Sequence, residues 1–531
     1  MLTRRMVLRG IGAAAGSLLA GGGFPSVLAG QSPPPADSTL KFGMFFPPKH
    51  VDPHRETVTE LVMVWKNVYE SLVDAFEPGL QGVLATAWKV EDGGRALVFT
   101  LRQGVKFHDG TDFDAEAVKF NFDRLQKIKL GPAYILAPVD RVDVINAHTV
   151  RIALKQPFLP MLNGLSLVPM VSPKSVRDND ANGDLAQKWY INHGVGTGPY
   201  KFDSVNLDEQ IVLSKFTPYW RGWGGRHFDR VLLKMVFESS AQRLQLERGD
   251  LDIATNFSPD SIPALERNPS IRVHKQPSVV QYYLRLNNAG GPFAKKEVRQ
   301  AVNYAWNPSI IEKALGNLAL PSDGPLSKGL IAPYATFKYP YAYDAGRAKQ
   351  LLAQAGYPNG FTTTLYQQKD VDEARVLAEA AQAALTPLGI KLNIQVMPFF
   401  DYVDVFLKWN KGKDSTNIPG MATQFRTANF PDPYAVLFGL YFSGAQGGDG
   451  RNYTFYSNPQ VDDFLNRATR ATDVTQAYKL YADAAQLITD DAADLFAYKR
   501  TDVLLMRSRI TGFRFNKLYW KWVYFYRLSR G

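Results

Sequence analysis

Two stretches of the sequence contain residues that could bind a metal ion. The run Asp178-Asn179-Asp180-Ala181-Asn182-Gly183 has the oxygen donors and the glycine of the first half of a calcium-binding helix-loop-helix. The twelfth position of such a loop supplies a bidentate carboxylate, but here it is Trp189, so a polar surface loop is the better interpretation. His50 and His54 are four residues apart, but Pro53 between them disfavours the helix that would bring both rings to one face. We therefore predict no metal site and keep His50 only as a candidate residue of a binding cleft.

Motifs for nucleotide binding and for nucleophilic catalysis are incomplete. The run Gly194-Val195-Gly196-Thr197-Gly198-Pro199 resembles a phosphate loop, but no Gly-Lys-Ser/Thr ending follows and Pro199 lacks an amide N–H. A tight turn is the better interpretation. The chain has no cysteine, which excludes disulfides, thiolate metal sites and cysteine nucleophiles, and it has no Gly-x-Ser-x-Gly elbow. We therefore predict no catalytic residue and no cofactor.

The composition is that of a globular protein with more than one lobe. The chain has 531 residues, which exceeds the size of one ordinary core. Hydrophobic residues make up 45% and charged residues 21%. The net charge of +11 is spread along the chain instead of being collected in basic runs, so we expect no nucleic-acid partner.

The N-terminus has the features of an export signal. Arg4-Arg5 precedes a mildly apolar, glycine-rich segment, Ile11–Phe24, and the small residues Val27-Leu28-Ala29 provide a cleavage site. We predict a twin-arginine signal peptide over residues 1–29 and a disordered leader over residues 30–38. Because a lipid anchor needs a cysteine, the mature protein is expected to be soluble in the periplasm. The twin-arginine route carries folded cargo, which is often an enzyme, so an exported hydrolase is an alternative.

Local patterns indicate the elements that would position any site. Asp114 is a good N-cap for a helix that runs to about residue 125, and Asp344 caps another helix. A strand at Thr362–Tyr366, an alanine-rich helix at Asp372–Leu385 and a strand at Ile390–Met397 then follow one another. This alternation predicts a mixed α/β architecture with several lobes.

An ordered series of short motifs makes the sequence similar to a known family. The motifs are Asp52-Pro53, Tyr69-Glu70-Ser71-Leu72-Val73, Leu84-Ala85-Thr86-Ala87-Trp88, the run FTLRQGVKFHDG over 99–110, Gly196-Thr197-Gly198-Pro199-Tyr200-Lys201, Tyr219-Trp220, Gly249-Asp250-Leu251-Asp252, Val298-Arg299-Gln300-Ala301, Tyr343-Asp344 and Ala355-Gly356-Tyr357-Pro358. They extend over essentially the whole mature chain. The sequence resembles the family-5 extracellular solute-binding proteins of ABC importers, the dipeptide-, oligopeptide- and nickel-binding group.

The resemblance implies an α/β fold that forms a two-lobed clamp of the periplasmic-binding-protein type (type II), with an extra N-terminal subdomain. Residues 39–282 and 500–531 would form lobe I, with the extra subdomain at about 75–195. Residues 283–499 would form lobe II.

Two crossover strands would connect the lobes, at Val279–Asn287 and at about Ala497–Leu505. Closure of the clamp would bury the ligand and give the protein the shape that the membrane permease recognises.

The segment before Asp432 departs from the pattern of peptide-binding relatives. Those relatives have Trp-x-x-Asp shortly before an Asp-Pro pair, where the first aspartate holds the peptide's ammonium group and the tryptophan lines the pocket. Aligned on Pro431-Asp432-Pro433, Arg426 stands at the tryptophan position and Asn429 at the aspartate position. An amide cannot neutralise a buried ammonium, whereas a guanidinium suits a carboxylate or a phosphate. Two interpretations stay open for Arg426, which either faces the cleft or points to solvent.

The resemblance and these substitutions define a set of candidate ligand-binding residues. It combines aromatic side chains that could stack on rings, a loosely aligned loop of lobe II and the segment before Asp432. The set is Phe45, Phe46, His50, Tyr283, Gln368, Lys369, Phe425, Arg426 and Asn429.

We therefore expect the periplasmic substrate-binding component of an ABC importer, a monomer that delivers a small-molecule or peptide ligand to an inner-membrane permease. The ligand would be peptide-like, opine-like or a sugar conjugate, with a nickel chelate at His50 as a weaker hypothesis. Two other classes remain open. One is the exported hydrolase, and the other is a sensor or chaperone that uses the same clamp to present a ligand to a receptor.

Overall fold

A computed structural model describes residues 38–46, 48–75, 79–225, 227–369, 371–398, 401–405, 420–446, 451–516, 518 and 521–531. The signal peptide predicted over residues 1–29 and nearly all of the leader predicted over 30–38 lie outside these residues. In the part of the chain that the structure describes, no helix has both the length and the apolar character needed to cross a membrane.

Strands and helices alternate along the whole described chain. The strands are β1 Thr39–Met44, β2 Val73–Asp74, β3 Gln81–Gly82, β4 Ala85–Glu91, β5 Ala96–Leu101, β6 Val139–Asn146, β7 Thr149–Leu154, β8 Tyr200–Asn206, β9 Gln210–Lys215, β10 Arg230–Met235, β11 Ile253–Ala254, β12 Ile271–Leu286, β13 Ala319–Leu320, β14 Thr362–Gln368, β15 Lys391–Met397, β16 Met421–Arg426, β17 Asp494–Arg507, β18 Ile510–Thr511 and β19 Ser529–Arg530. The α-helices are α1 Thr59–Val68, α2 Ala115–Ile128, α3 Met161–Gly164, α4 Pro173–Asp178, α5 Ser239–Arg248, α6 Ile262–Glu266, α7 Lys296–Ala305, α8 Pro308–Leu315, α9 Ala345–Gln354, α10 Asp372–Leu385, α11 Tyr434–Tyr441, α12 Pro459–Arg470 and α13 Val474–Asp490.

An 11-stranded sheet runs through both lobes. Its strand order is β15-β14-β16-β12-β17-β11-β1-β10-β9-β8, with β13 paired to β17 at one side. The strands on one side of the central pair come from the N-terminal half of the chain, and those on the other side come from the C-terminal half. This order gives the two-lobed α/β clamp that the resemblance implies.

The long strands β12 and β17 form the antiparallel centre of the sheet and connect the lobes. Their pairing is interrupted after Pro277 and resumes at Gln281, which leaves an irregular stretch between the lobes. Both strands are longer than predicted, because the prediction of Val279–Asn287 followed only the apolar end of β12. The polar residues before it pair with β17 as well.

A separate four-stranded sheet, with the order β4-β5-β7-β6, lies in the N-terminal part of the chain. Helix α2 packs against β6 and β7 of this sheet. The side chain of Asp114 accepts the backbone N–H of Ala117 at 2.9 Å, so the predicted N-cap is confirmed. This unit lies within residues 75–195, where the resemblance predicts the extra subdomain, and the turn that follows α2 reaches the cavity described below.

The other local predictions concern the C-terminal half of the chain. Asp344 caps α9 by accepting the N–H of Arg347 at 2.8 Å. The predicted strand–helix–strand series is confirmed as β14, α10 and β15, and β14 pairs with β15 in parallel. A short connection joins β14 to α10, so the N-terminus of α10 lies beside the C-terminal end of β14. Residues of both ends line the cavity.

Candidate ligand-binding site

A cavity of about 1000 Å³ is lined by residues from both lobes. Its wall is formed by the residues that follow β1, the turn after α2, the middle of β12, the end of β16 and the helices α10 and α11. This volume is at the upper end of the range for small-molecule sites, so the cavity can hold a ligand of peptide size.

Asp432 holds the segment after β16 in place. Its Oδ1 accepts the backbone N–H of Tyr434 at 2.9 Å, and its Oδ2 accepts a hydrogen bond from Nδ2 of Asn163 at 3.1 Å. The side chain is buried and does not line the cavity, and burial raises the pKa of its carboxyl group to about 6. Asp432 therefore fixes the turn that brings Arg426 and Asn429 into the cavity wall.

Arg426 is the last residue of β16 and lines the cavity. Its Nη2 donates a hydrogen bond to the backbone oxygen of Ala435 at 3.1 Å, whereas its buried Nε–H has no acceptor among the described residues. Burial, followed by the positive charge of Arg451, lowers the pKa of Arg426 to about 10. The guanidinium is thus protonated at neutral pH and retains a free donor.

Arg451 brings a second guanidinium group to the same wall. Its Nη2 lies 3.4 Å from Oγ1 of Thr57, and its guanidinium carbon lies 5.8 Å from the ring centroid of Tyr134. The largest electrostatic influences on Arg426 come from Arg451 and from three tyrosines. Two guanidinium groups of like charge therefore act on each other in this wall, and no acidic side chain of the described residues forms an ion pair with Arg426.

Among the described residues of the cavity wall, basic side chains outnumber acidic side chains. The basic residues are Lys129, Lys155, Arg426, Arg451, Arg500 and Lys521, and the acidic residues are Glu56 and Glu373. Arg500 forms an ion pair with Glu373 and donates a hydrogen bond to Oη of Tyr282 at 3.2 Å, so this buried pair is internally neutral. The remaining excess of positive charge favours an anionic ligand.

The structure brings six of the nine predicted site residues to the cavity wall. These six are Phe45, Phe46, Gln368, Phe425, Arg426 and Asn429. Asn429 is buried, and Nζ of Lys521 lies 3.2 Å from the ring centroid of Phe45. Contact of these six side chains with a ligand stays a prediction.

The other three predicted residues are not part of the wall. Tyr283 donates its hydroxyl to the backbone oxygen of Pro325 at 3.1 Å, and its neighbour Tyr282 lines the cavity instead. Successive residues of a strand point to opposite faces, and the sequence did not indicate which tyrosine faces the cavity. Lys369 follows β14, and its amide N–H extends the pairing with β15.

His50 is buried beside the cavity but does not line it. Its Nε2 lies 3.7 Å from Oε2 of Glu56, and burial lowers the pKa of its imidazole to about 4. The ring is therefore neutral at physiological pH. A ligand in the cavity would meet Glu56 instead of His50.

The structure also describes the loop that resembles a calcium site. Asp178 pairs with Lys174, and Oδ1 of Asp180 accepts the amide N–H of Leu185 at 3.0 Å. These carboxylates stabilise the loop itself. Across the described ranges, no three histidine, aspartate or glutamate side chains are arranged to hold a metal ion.

Several wall residues were not predicted from the sequence. Arg451 meets Thr57 although the two are 394 positions apart in the chain, and no motif surrounds either of them. The pair of Arg500 and Glu373 likewise depends on the approach of β17 and α10. Only the tertiary fold indicates these residues.

Comparisons with known proteins agree with this architecture. The family model described as Bacterial extracellular solute-binding proteins, family 5 Middle, matches residues 79–448. The chain is 30% identical over 484 residues to the glutathione-binding protein of Pectobacterium atrosepticum, covering 90% of this chain and 91% of that protein. It is 31% identical over 456 residues to the probable D,D-dipeptide-binding periplasmic protein of Escherichia coli K12, covering 85% of each.

A solved structure of similar fold is the ABC transporter-associated periplasmic binding protein of Helicobacter pylori in complex with the peptide STSA. The TM-score is 0.82 at 26% sequence identity, with 93% of this chain and 98% of that chain covered. These relatives are binding proteins. The match to the family model over most of the chain, the long alignments and the shared two-lobed fold lead to one conclusion. The chain belongs to family 5 of the bacterial extracellular solute-binding proteins, which capture a solute between two lobes and deliver it to the permease of an ABC importer.

Proposed function

We propose that this protein captures a small anionic, peptide-like solute and that Arg426 and Arg451 bind its acidic group. The observation that carries the proposal is the pair of guanidinium groups in the cavity wall, which act on one another without a carboxylate beside Arg426 among the described residues. The buried Nε–H of Arg426 has no acceptor among the described residues, so the hydrogen-bonding capacity of this guanidinium is not fully used.

The energetics of buried charge support an acidic ligand. A buried cation without a partner is costly, and a second cation close to it raises that cost. A carboxylate or phosphate between the two arginines would neutralise the charge and accept charge-assisted hydrogen bonds, which are about twice as strong as neutral ones. Ligand binding would thus relieve a repulsion that is present in the unliganded wall.

Asn429 provides the second argument about the ligand. It is buried in the wall at the position where peptide-binding relatives are expected to hold a peptide's ammonium group. Its amide carries no charge, so a free α-amino group would lose its hydration without gaining an ionic partner. We therefore propose a solute whose amino end is modified or displaced, as in opines, sugar conjugates and γ-linked or acylated peptides.

The names of two relatives support the peptide-like part of the proposal. One is a glutathione-binding protein and the other a probable D,D-dipeptide-binding protein. Glutathione is a peptide with more than one carboxylate and a γ-linked first residue. A cavity of about 1000 Å³ has room for a molecule of this kind.

The remaining parts of the proposal come from the sequence. We propose export by the twin-arginine route with cleavage after residue 29, action as a soluble periplasmic monomer without a lipid anchor, and binding without catalysis. We also propose the lobe division into residues 39–282 with 500–531, and 283–499.

Native mass spectrometry of the protein purified from its own host tests the ligand class. A closed clamp retains its ligand, so the expected result is a bound molecule with at least one carboxylate or phosphate, whose mass stays constant on incubation. A neutral or purely cationic ligand would overturn the proposed site. Conversion of the bound molecule into a product would overturn the proposal of binding without catalysis and favour the exported hydrolase.

A further inference from the structure

Helix α11 presents a row of stacked aromatic rings at the cavity. The ring centroids of Tyr434 and Phe438 are 4.7 Å apart with an interplanar angle of 30°, and those of Phe438 and Phe442 are 4.3 Å apart at 24°. Tyr434 and Phe438 line the cavity, and both are only partly buried. Because the neighbouring rings cover both faces of Phe438, the part of this ring that reaches the cavity is its edge.

A shallow groove runs beside this aromatic row. Ala435 and Gly439 are one helical turn apart, like Tyr434 and Phe438, and they also line the cavity. Among the described residues outside its own helix backbone, a Cβ atom added at Gly439 would have one neighbour within 4 Å, the Cβ of Arg451 at 4.0 Å. Gly439 therefore leaves room beside the stem of Arg451, and the two small residues form the floor of the groove.

The groove is adjacent to both guanidinium groups of the site. The backbone oxygen of Ala435 accepts the hydrogen bond from Nη2 of Arg426, and the stem of Arg451 passes over Gly439. A ligand whose acidic group meets Arg426 and Arg451 thus has its next few atoms over α11.

From this geometry we infer the substrate class of the site: an acid with a flat aromatic ring a few bonds from its carboxylate, such as a peptide or acyl conjugate that ends in an aromatic residue. The inference rests on the proposed function, since it assumes that the two arginines bind the acidic group. The ring would lie on Ala435 and Gly439, with one face against the edge of Phe438.

The chemistry of aromatic rings favours an unsaturated ring in this groove. The edge of an aromatic ring is electropositive and its face is electronegative, so a ligand ring that meets the edge of Phe438 face-on gains an edge-to-face contact. A guanidinium group nearby would also attract the π-system of such a ring. A saturated ring of similar size would fill the groove, but it would lose both the edge-to-face contact and the attraction to the guanidinium group.

Isothermal titration calorimetry with four probes separates this inference from the proposed function. The probes are N-acetyl-alanyl-phenylalanine, its cyclohexylalanine analogue, N-acetyl-alanyl-alanine and the C-terminal amide of the first. We expect the phenylalanine acid to bind about tenfold more tightly than the alanine acid, with the cyclohexylalanine acid between them. The amide tests only the contact with the arginines and is expected to bind much more weakly than its acid.

Variants at Gly439 test the groove directly. Gly439→Leu would fill it and is expected to remove most of the preference for the aromatic probe over the alanine probe, whereas Gly439→Ala, whose methyl group fits at 4.0 Å, is expected to have a smaller effect. Both substitutions suit a helix better than glycine does, so folding is not at risk.

Each result counts for or against the inference. If the phenylalanine and alanine acids bind with equal affinity and the amide does not bind, the inference is overturned and the proposed function stays intact. Equal binding of acid and amide would overturn the proposed function itself. Failure of every acid to bind a folded protein at millimolar concentration would overturn both.

Discussion

Asn163 of α3 donates a hydrogen bond to Asp432 in the segment after β16, with 3.1 Å between Nδ2 and Oδ2. The other carboxylate oxygen accepts the N–H of Tyr434 in the first turn of α11. One buried side chain therefore orients the helix with the aromatic row and joins this helix to α3 in the N-terminal half of the chain. Between two prolines, an aspartate of this kind is a structural residue.

The substitution Asp432→Asn should change the pH dependence of stability. Burial raises the pKa of Asp432 from its usual 3.8 to about 6, so this group favours folding fully below about pH 4 and loses its contribution as the pH rises through 6. We expect the free energy of unfolding of the wild type, relative to the variant, to fall by about 2 kcal/mol from pH 4 to pH 7. Urea unfolding at several pH values measures this difference.

Asp463→Asn is the matched control for this change. Asp463 is an exposed helix residue that pairs with Arg467, so its substitution should shift stability equally at each pH. Parallel pH profiles for the wild type and Asp432→Asn would contradict the account of Asp432.

Glu373→Gln should destabilise the protein by removing the carboxylate that forms an ion pair with Arg500. The two side chains form an ion pair and are mostly buried, and Arg500 also donates to Tyr282. Removing one partner of a buried pair leaves an uncompensated charge, so we expect a loss of about 3 kcal/mol in the free energy of unfolding. Glu379→Gln removes an exposed partner of Arg375 from the same helix and should cost less than about 1 kcal/mol. If urea unfolding shows the same loss of unfolding free energy for both variants, the ion pair of Glu373 and Arg500 does not behave as a buried pair.

Asn429→Asp should create affinity for unmodified peptides. The new carboxylate would lie in the cavity wall where peptide-binding relatives are expected to hold the peptide's ammonium group. We expect free dipeptides to bind the variant at least about tenfold more tightly than the wild type, since an ion pair replaces an unpaired buried ammonium. Titration of each protein with a free and an N-acetylated dipeptide measures the gain. Sub-micromolar binding of free dipeptides to the wild type would show that the interpretation of Asn429 is wrong.

The double substitution of Arg4→Lys and Arg5→Lys should block export. A twin-arginine signal requires the arginine pair, whereas Arg9→Lys preserves it and provides the matched control. Cell fractionation should find the double variant in the cytoplasm as uncleaved precursor and the control in the periplasm. Normal export of the double variant would exclude the twin-arginine route.

Local sequence signals predicted much of the fold. The N-caps at Asp114 and Asp344, and the series of β14, α10 and β15, depend on residues close together in the chain, and the structure has all of them. The two-lobed arrangement came from the resemblance to the family, because no local pattern specifies which strands pair at a distance.

The site was predicted less completely because its side chains come from distant elements. Tyr282 lines the cavity instead of the predicted Tyr283, at a point where the pairing of β12 with β17 shifts between these two residues, and such an irregularity cannot be predicted from one strand. Arg451 lies in a stretch without a motif and reaches the wall only because the two lobes meet there. Arg426 could be predicted as a site residue because it stands where the pattern of peptide-binding relatives has a tryptophan.

The central claim is that Arg426 binds the acidic group of the ligand. The most direct test is the affinity of the wild type and of Arg426→Gln for the acid and amide forms of one N-acetylated dipeptide, with the exposed Arg467→Gln as control. The wild type and the control should prefer the acid by at least about tenfold, and Arg426→Gln should bind the two forms about equally, because a charge-assisted hydrogen bond contributes roughly 1.5–3 kcal/mol. An unchanged preference for the acid in Arg426→Gln, or no preference in the wild type, would contradict the account.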